Sequence, residues 1–242
     1  MIRRYYPRAA SKQRGIALAE LALAVGLTAI IYLSVAPLLI KSQDVNVAKG
    51  VATDYTAFRA AAAAHFQSNR SAYDAAMSAG TDADKLCKVG VNADGSGGTV
   101  VNSTTMHRCA IDVSMLRYLQ ALPSNVATRN RYGETWVAIF KQVYDTAATP
   151  APTGAVEMFV VSARVDGTAP LVPSDPRAYD EATTAAGFVS GQGGVVPDAD
   201  RSTCVASRAA GKFEACGPGW KANLADFLEP SEVTSFASRL SN

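Results

Sequence analysis

From Leu21 to Ile40 the chain runs LALAVGLTAIIYLSVAPLLI, twenty residues with no ionisable side chain except Tyr32. At 1.5 Å per residue such a run crosses about 30 Å of hydrocarbon, so it predicts one membrane-spanning helix. Beyond Lys41 the pattern changes: Ala48, Val51, Tyr55, Phe58, Ala62 and Phe66 recur at three- and four-residue steps, with Asp44, Lys49, Asp54, Arg59 and Gln67 between them. That period predicts an amphipathic helix with one apolar face. The two stretches join into a single expected helix over 16–70, with 16–40 in the membrane and a length of about 80 Å. Gly26 and Pro37 are its weak points, because proline removes one backbone hydrogen bond and kinks or locally melts the rod.

The pattern after residue 70 belongs to a globular head, 71–242. Ser71–Ala79 continues as a short helix ending at Gly80. Thr81–Arg108, rich in Asp, Asn and Gly, reads as a long surface loop. Met115–Leu122 reads as a helix stopped by Pro123. The β-branched and aromatic residues of Asn130–Tyr144 and Ala155–Val165 predict two strands in an antiparallel hairpin across a loop with two prolines. Tyr179–Ala186 reads as helix, Gly187–Val196 as a tight glycine-rich hairpin, and Asn223–Phe227 as a last short helix. The fold class is therefore α+β, with a long N-terminal helix packed on an antiparallel sheet.

Charge adds a direction. Arg3, Arg4, Arg8, Lys12 and Arg14 precede the apolar run with no acid before Glu20, which predicts a cytoplasmic Met1 and an exported head. The apolar run is too long for a secretory signal, and no small-x-small cleavage site follows it. The net charge of +2 resides largely in residues 1–15; without their five cations it becomes −3. That balance excludes a nucleic-acid partner. Glu20, between Ile16-Ala-Leu-Ala and the uncharged run, needs a counter-charge, since an isolated carboxylate at depth in lipid costs about 2–3 kcal/mol or more.

The basic leader, Gly15, the small and apolar residues to Ala19, Glu20 five places after the glycine, and Pro37 resemble a type IV prepilin. The resemblance implies cleavage by a prepilin peptidase between Gly15 and Ile16, N-methylation of Ile16, and pairing of Glu20 with a neighbouring subunit's amino terminus. In that family Glu and Pro stand where Glu20 and Pro37 stand here, fifth and twenty-second from Ile16. Ile16-Ala-Leu-Ala is a looser version of the family's motif, which more often opens on Phe, Met or Leu. The order of the head segments resembles one type IVb branch, the minor pilins of conjugative thin pili, on Asn130-Arg-Tyr-Gly-Glu134, Ala186-Gly-Phe-Val189 and Trp220-Lys-Ala-Asn-Leu-Ala225. The tail of that branch, a glycine-repeat stalk with a variable adhesin, is not present up to Asn242. The implied partners are the peptidase, other pilins, the inner membrane before assembly and a cell-surface receptor. The implied location is the inner membrane, then an extracellular pilus. An anchored extracytoplasmic binding module and a type II secretion pseudopilin are the alternatives.

Four cysteines in an exported head predict disulfides. Three pairings are possible; local closure favours Cys87 with Cys109 and Cys204 with Cys216, the second stapling the C-terminal region where pilins commonly carry a disulfide. No C-x-x-C spacing occurs, His65 and His107 are the only histidines, and Asn92–Ser96 lacks the further ligands of a calcium loop, so no metal and no cofactor is expected. Gly191-Gln-Gly193-Gly194 lacks the Lys and the following helix of a phosphate loop. No nucleophile and base are spaced as a recognisable set, and the chain reads as structural rather than catalytic.

Overall fold

The computed structural model describes residues 42–130, 134–163, 179–189, 191–196 and 214–232. The chain divides into two compact units, 1–46 and 47–242. Of the first, only 42–46 belongs to the described residues, and all five are exposed.

Helix α1 covers 42–68, and from 47 onward it belongs to the second unit. Its apolar positions fall where the period places them, with Ala48, Phe58, Ala62 and Phe66 buried and Val51 and Tyr55 half-buried. The expected continuity to residue 70 is corrected at Asn69. Its backbone leaves the helical region at φ −121°, ψ 25°, and helix α2 (Arg70–Ala79) begins anew. Helix α2 ends on Gly80 at φ 73°, a left-handed cap that glycine takes without a Cβ penalty.

The stretch from Thr81 to Arg108, expected to be loop, is folded. It holds helix α3 (Ala83–Leu86), strands β1 (Lys88–Val91) and β2 (Gly97–Val100) paired as an antiparallel hairpin, and the two-residue strand β3 (Asn102–Ser103). Asp94 Oδ1 accepts from the Ser96 N–H and hydroxyl, so the Asn92–Ser96 run is the hairpin's turn. Strand β4 (Arg108–Asp112) leads directly into helix α4 (Val113–Tyr118), two residues earlier than expected. Asp112 caps α4 by accepting from the Met115 N–H at 2.9 Å. That helix ends well before Pro123, at Leu119 and a left-handed Gln120.

Strands β5 (Thr135–Tyr144) and β6 (Pro152–Ala163) pair over nearly their full length, as the sequence predicts, with Ile139 opposite Phe159. With β3 and β4 they form an antiparallel four-stranded meander in the order β3-β4-β5-β6. Both faces of this sheet are covered. On one, Cys109, Ile111, Ala138 and Phe140 meet Phe58, Ala62 and Phe66 of α1 and Tyr73 and Met77 of α2. Phe66 stacks on Phe140 at 4.6 Å between ring centroids, and each such buried aromatic contributes about 1.5–3 kcal/mol by burial. On the other, Ala110, Val137, Ile139 and Ala163 meet Val89, Ala215, Leu224, Phe227 and Leu228.

Helix α5 (Tyr179–Gly187) follows the expected position. The stretch after it is not a hairpin of its own: Val195 bridges to Cys216, twenty-one residues on. Cys216 lies in β7 (Glu214–Gly217), which pairs with β8 (Trp220–Asn223) across the turn Gly217-Pro-Gly-Trp220, with Gly219 at φ 80°. The last expected helix is a single 3-10 turn, Leu224–Asp226, capped by Asn223. The architecture is thus α+β with antiparallel sheets.

Candidate functional site

Gly15, Ile16, Glu20 and Pro37, the residues expected to direct processing and assembly, lie outside the described residues, as does the expected span 16–40. Among the described residues no helix is long and apolar enough to cross a membrane. Cys87 and Cys109 form a disulfide with Cα atoms 5.1 Å apart. The bridge is buried and ties the end of α3 to the interior of β4, so it braces the sheet rather than stapling two loops. Cys216 is also disulfide-bonded; Cys204, its expected partner, lies outside the described residues.

Helix α1 is the element the expected function would use, and several contacts fix its part in the head. The Tyr55 ring meets Trp136 of β5 edge-on at 5.3 Å. Lys49 Nζ stands 5.6 Å over the Phe188 ring, and Arg59 donates to Gln192 Oε1. Burial pushes the Asp54 carboxyl up, against the hydrogen bond it receives from the Ala127 N–H. On the outer face Gly50, Thr53, Thr56, Ala60 and Ala64 are exposed and small, with the longer side chains of Lys49 and Gln67 exposed at either end of them. The hydroxyls of Thr53 and Thr56 donate to Lys49 O and Ala52 O at 2.9 and 2.8 Å, so both are satisfied within the helix.

Three buried carboxylates hold the head together, and no hydrophobic pattern announces them. Arg108, 2% exposed, donates through Nη1 to Phe227 O at 2.6 Å and pairs through Nη2 with Glu232 Oε2 at 2.8 Å. Its register partner Lys141 donates to Asp226 O at 2.7 Å, so two adjacent cations of the sheet hold the carbonyl end of the 3-10 turn. Burial pushes the Glu232 carboxyl up, against the pull of Arg108 and of the Glu229 N–H. Burial likewise pushes Asp112 up, while Ser114, Met115 N–H and Gly90 N–H hold it down by hydrogen bonds that join α4 and β1. Glu134, 4% exposed, accepts from Asn130 Nδ2 at 2.7 Å and Ser162 Oγ at 2.5 Å, closing the Asn130–Glu134 segment at its root.

The histidines stand apart from these groups. His65 is half-buried, its ring meets Tyr73 edge-on at 5.9 Å, and burial holds its pKa below the usual imidazole value. His107 stacks on Tyr144 at 3.8 Å. Among the described residues neither ring is hydrogen-bonded to a hydroxyl or thiol, and no group of three His, Cys, Asp or Glu is placed to hold a metal ion. A cavity of about 310 Å³ opens between α2 and the start of β6, with Asp74, Ser78 and Gln142 on its wall. No protein-family model matches the chain, no curated protein sequence matches it, and no solved structure matches it.

Proposed function

We propose that this chain is a type IV pilin-like subunit, cut after Gly15 by a prepilin peptidase and assembled into a filament through the helix that begins at Ile16. Its role is structural, in a pilus used for adhesion or conjugative mating contact, with the inner membrane as its site before assembly. The observation that supports the reading best is the double character of α1. One face seats Phe58, Ala62 and Phe66 on the sheet while the exposed one carries the small residues Gly50, Thr53, Thr56, Ala60 and Ala64 between Lys49 and Gln67, and the sequence upstream leads back to Pro37, Glu20 and Gly15. A small-residue face lets a neighbouring helix approach closely. Glu20 then acts between subunits. Its carboxylate takes the Ile16 ammonium of the adjacent subunit as counter-charge, and that pairing fixes the register of the filament.

Intact mass and N-terminal sequencing of protein from membranes with and without prepilin peptidase test this reading. The expected product starts at Ile16, carries one extra methyl group and depends on the peptidase. An uncut Met1 would leave an anchored binding module instead. Glu20→Ala is expected to be cut normally yet enter filaments poorly; normal incorporation would remove the role assigned to Glu20.

A further inference from the structure

The corner where α1 passes into α2 is built around a histidine that the fold accepts in one protonation state. We propose that this corner is an acid-sensitive hinge, in which a proton on His65 releases the Asn69 side chain and loosens the first turn of α2. Asn69 Nδ2 donates to His65 O at 2.9 Å, which fixes the amide with its nitrogen toward α1. The same nitrogen stands 3.4 Å from His65 Nδ1. An amide nitrogen donates and does not accept, so Nδ1 is the acceptor and the neutral ring carries its proton on Nε2. Nε2 is buried and has no hydrogen-bond partner among the described residues. Asn69 also makes the junction itself. Its N–H reaches back to His65 O and Phe66 O, both at 3.1 Å, and its carbonyl takes the Ala72 and Tyr73 N–H groups at 3.0 and 3.1 Å.

A second proton has no place in this arrangement. On Nδ1 it sets two donors against each other across 3.4 Å, and turning the amide over to offer its oxygen gives up the bond to His65 O. No charge nearby compensates. Among the described residues Arg59 of α1 donates to Gln192, Arg70 and Asp74 of α2 pair with each other, and Arg117 of α4 donates to Ser124 O and Val126 O, so burial alone acts on the His65 pKa and lowers it. Tyr73, the titratable group against the ring, stays a neutral phenol because burial raises its pKa. The His65 ring is half-buried, so water is close. Swinging out solvates the imidazolium at the cost of the Asn69 bond and of the edge-on contact with Tyr73, 5.9 Å between ring centroids. Tyr73 and Met77 seat α2 in the core, so the corner governs how firmly α2 is held. The hinge does not depend on processing at Gly15, and a failed titration leaves the filament reading untouched.

The test is a pH titration of the full chain in detergent micelles between pH 7.5 and pH 5, read by amide and imidazole NMR and by hydrogen exchange. The chain has two histidines, so the ring signal lost in His65→Gln is the one in question. The expected result is a His65 midpoint below the ordinary value of about 6.5, with the Asn69 side-chain amide and the Tyr73 N–H shifting at that same midpoint. Protection of the Tyr73 N–H is expected to fall with pH by no more than about tenfold per pH unit, the limit for one proton. His65→Gln is expected to remove this response. Asn69→Asp sets a carboxylate before Nδ1 and is expected to raise the His65 midpoint above the parent's. Corner amides that do not follow the His65 titration, a response that survives His65→Gln, or an unchanged midpoint in Asn69→Asp would overturn the proposal.

Discussion

Replacing Arg108 with Met tests whether the C-terminal segment is held to the sheet by a buried charge. The guanidinium is 2% exposed and its partner Glu232 is 3% exposed, so the pair is shielded from water on both sides. Removing one partner of such a pair costs about 3–5 kcal/mol, because the other charge stays buried without compensation. Phe227 O also loses the donor it has at 2.6 Å. With a urea m-value of about 2 kcal/mol/M, the midpoint is expected to fall by about 1.5–2.5 M. The double variant Arg108→Met with Glu232→Leu is expected to recover part of that loss, since it removes both buried charges and leaves the Phe227 carbonyl without its donor and the Glu229 N–H without its acceptor. The pH dependence has a definite sign. Burial already raises Glu232 above its unfolded value, and losing Arg108 raises it further. A carboxyl raised in the folded state lowers stability as pH rises from its unfolded value of about 4.3 through its folded one, so the Arg108→Met deficit is expected to shrink from pH 8 to pH 5. A loss below about 1 kcal/mol, or a double variant no more stable than the single one, would refute the buried-charge reasoning.

Gly50 is helical, exposed and has no atom within 4 Å of where a Cβ would stand, so Gly50→Ala is expected to raise stability by about 0.5–1 kcal/mol, read as a higher urea midpoint. Changing Cys87 and Cys109 together to Ala opens a cross-link with a sequence separation of 22 and is expected to cost about 3 kcal/mol or more, by comparison of thermal unfolding with the parent under oxidising conditions. Burial lowers the His65 pKa, and a histidine lowered in the folded state loses stability as pH falls through its unfolded value of about 6.5. His65→Gln is expected to flatten the decline between pH 7 and pH 5. Because the ring is only half-buried, the effect stays well under the limit of about 1.4 kcal/mol per pH unit, and an unchanged slope would show that His65 does not contribute.

The elements foreseen from sequence are those whose cause is local. The buried stripe of α1 follows from a 3.6-residue period that Ala48, Phe58, Ala62 and Phe66 satisfy by themselves. The stop of α2 follows from one glycine, and β5 and β6 from runs of β-branched and aromatic residues long enough to outweigh turn chemistry. The Cys87–Cys109 pair follows from short closure. The hairpin within 81–108 escaped because its strands are four residues long and β2 opens on Gly97-Gly98, which resembles a turn until a partner strand is present. At Gly98 the close approach of Val89 O, 2.9 Å from where a Cβ would stand, gives that glycine its place, and only the paired chain reveals it.

The cavity beside α2 was illegible for the same reason. Asp74, Gln142 and Val156 are separated by some seventy and fourteen residues, and only the packing of α2 beside the β5–β6 pair makes them neighbours. By itself the sequence determined the segments governed by their own dihedral preferences and solvent exposure: the amphipathic face, the helix stop, the two long strands and a nearby pair of thiols. Tertiary structure alone decided which carboxylates are buried, that Arg108 reaches across the fold to Glu232, and that Val195 pairs with Cys216. Those contacts join residues far apart in the chain, where the entropy of closing the loop is met by burial of the whole head and by no property of the residues alone.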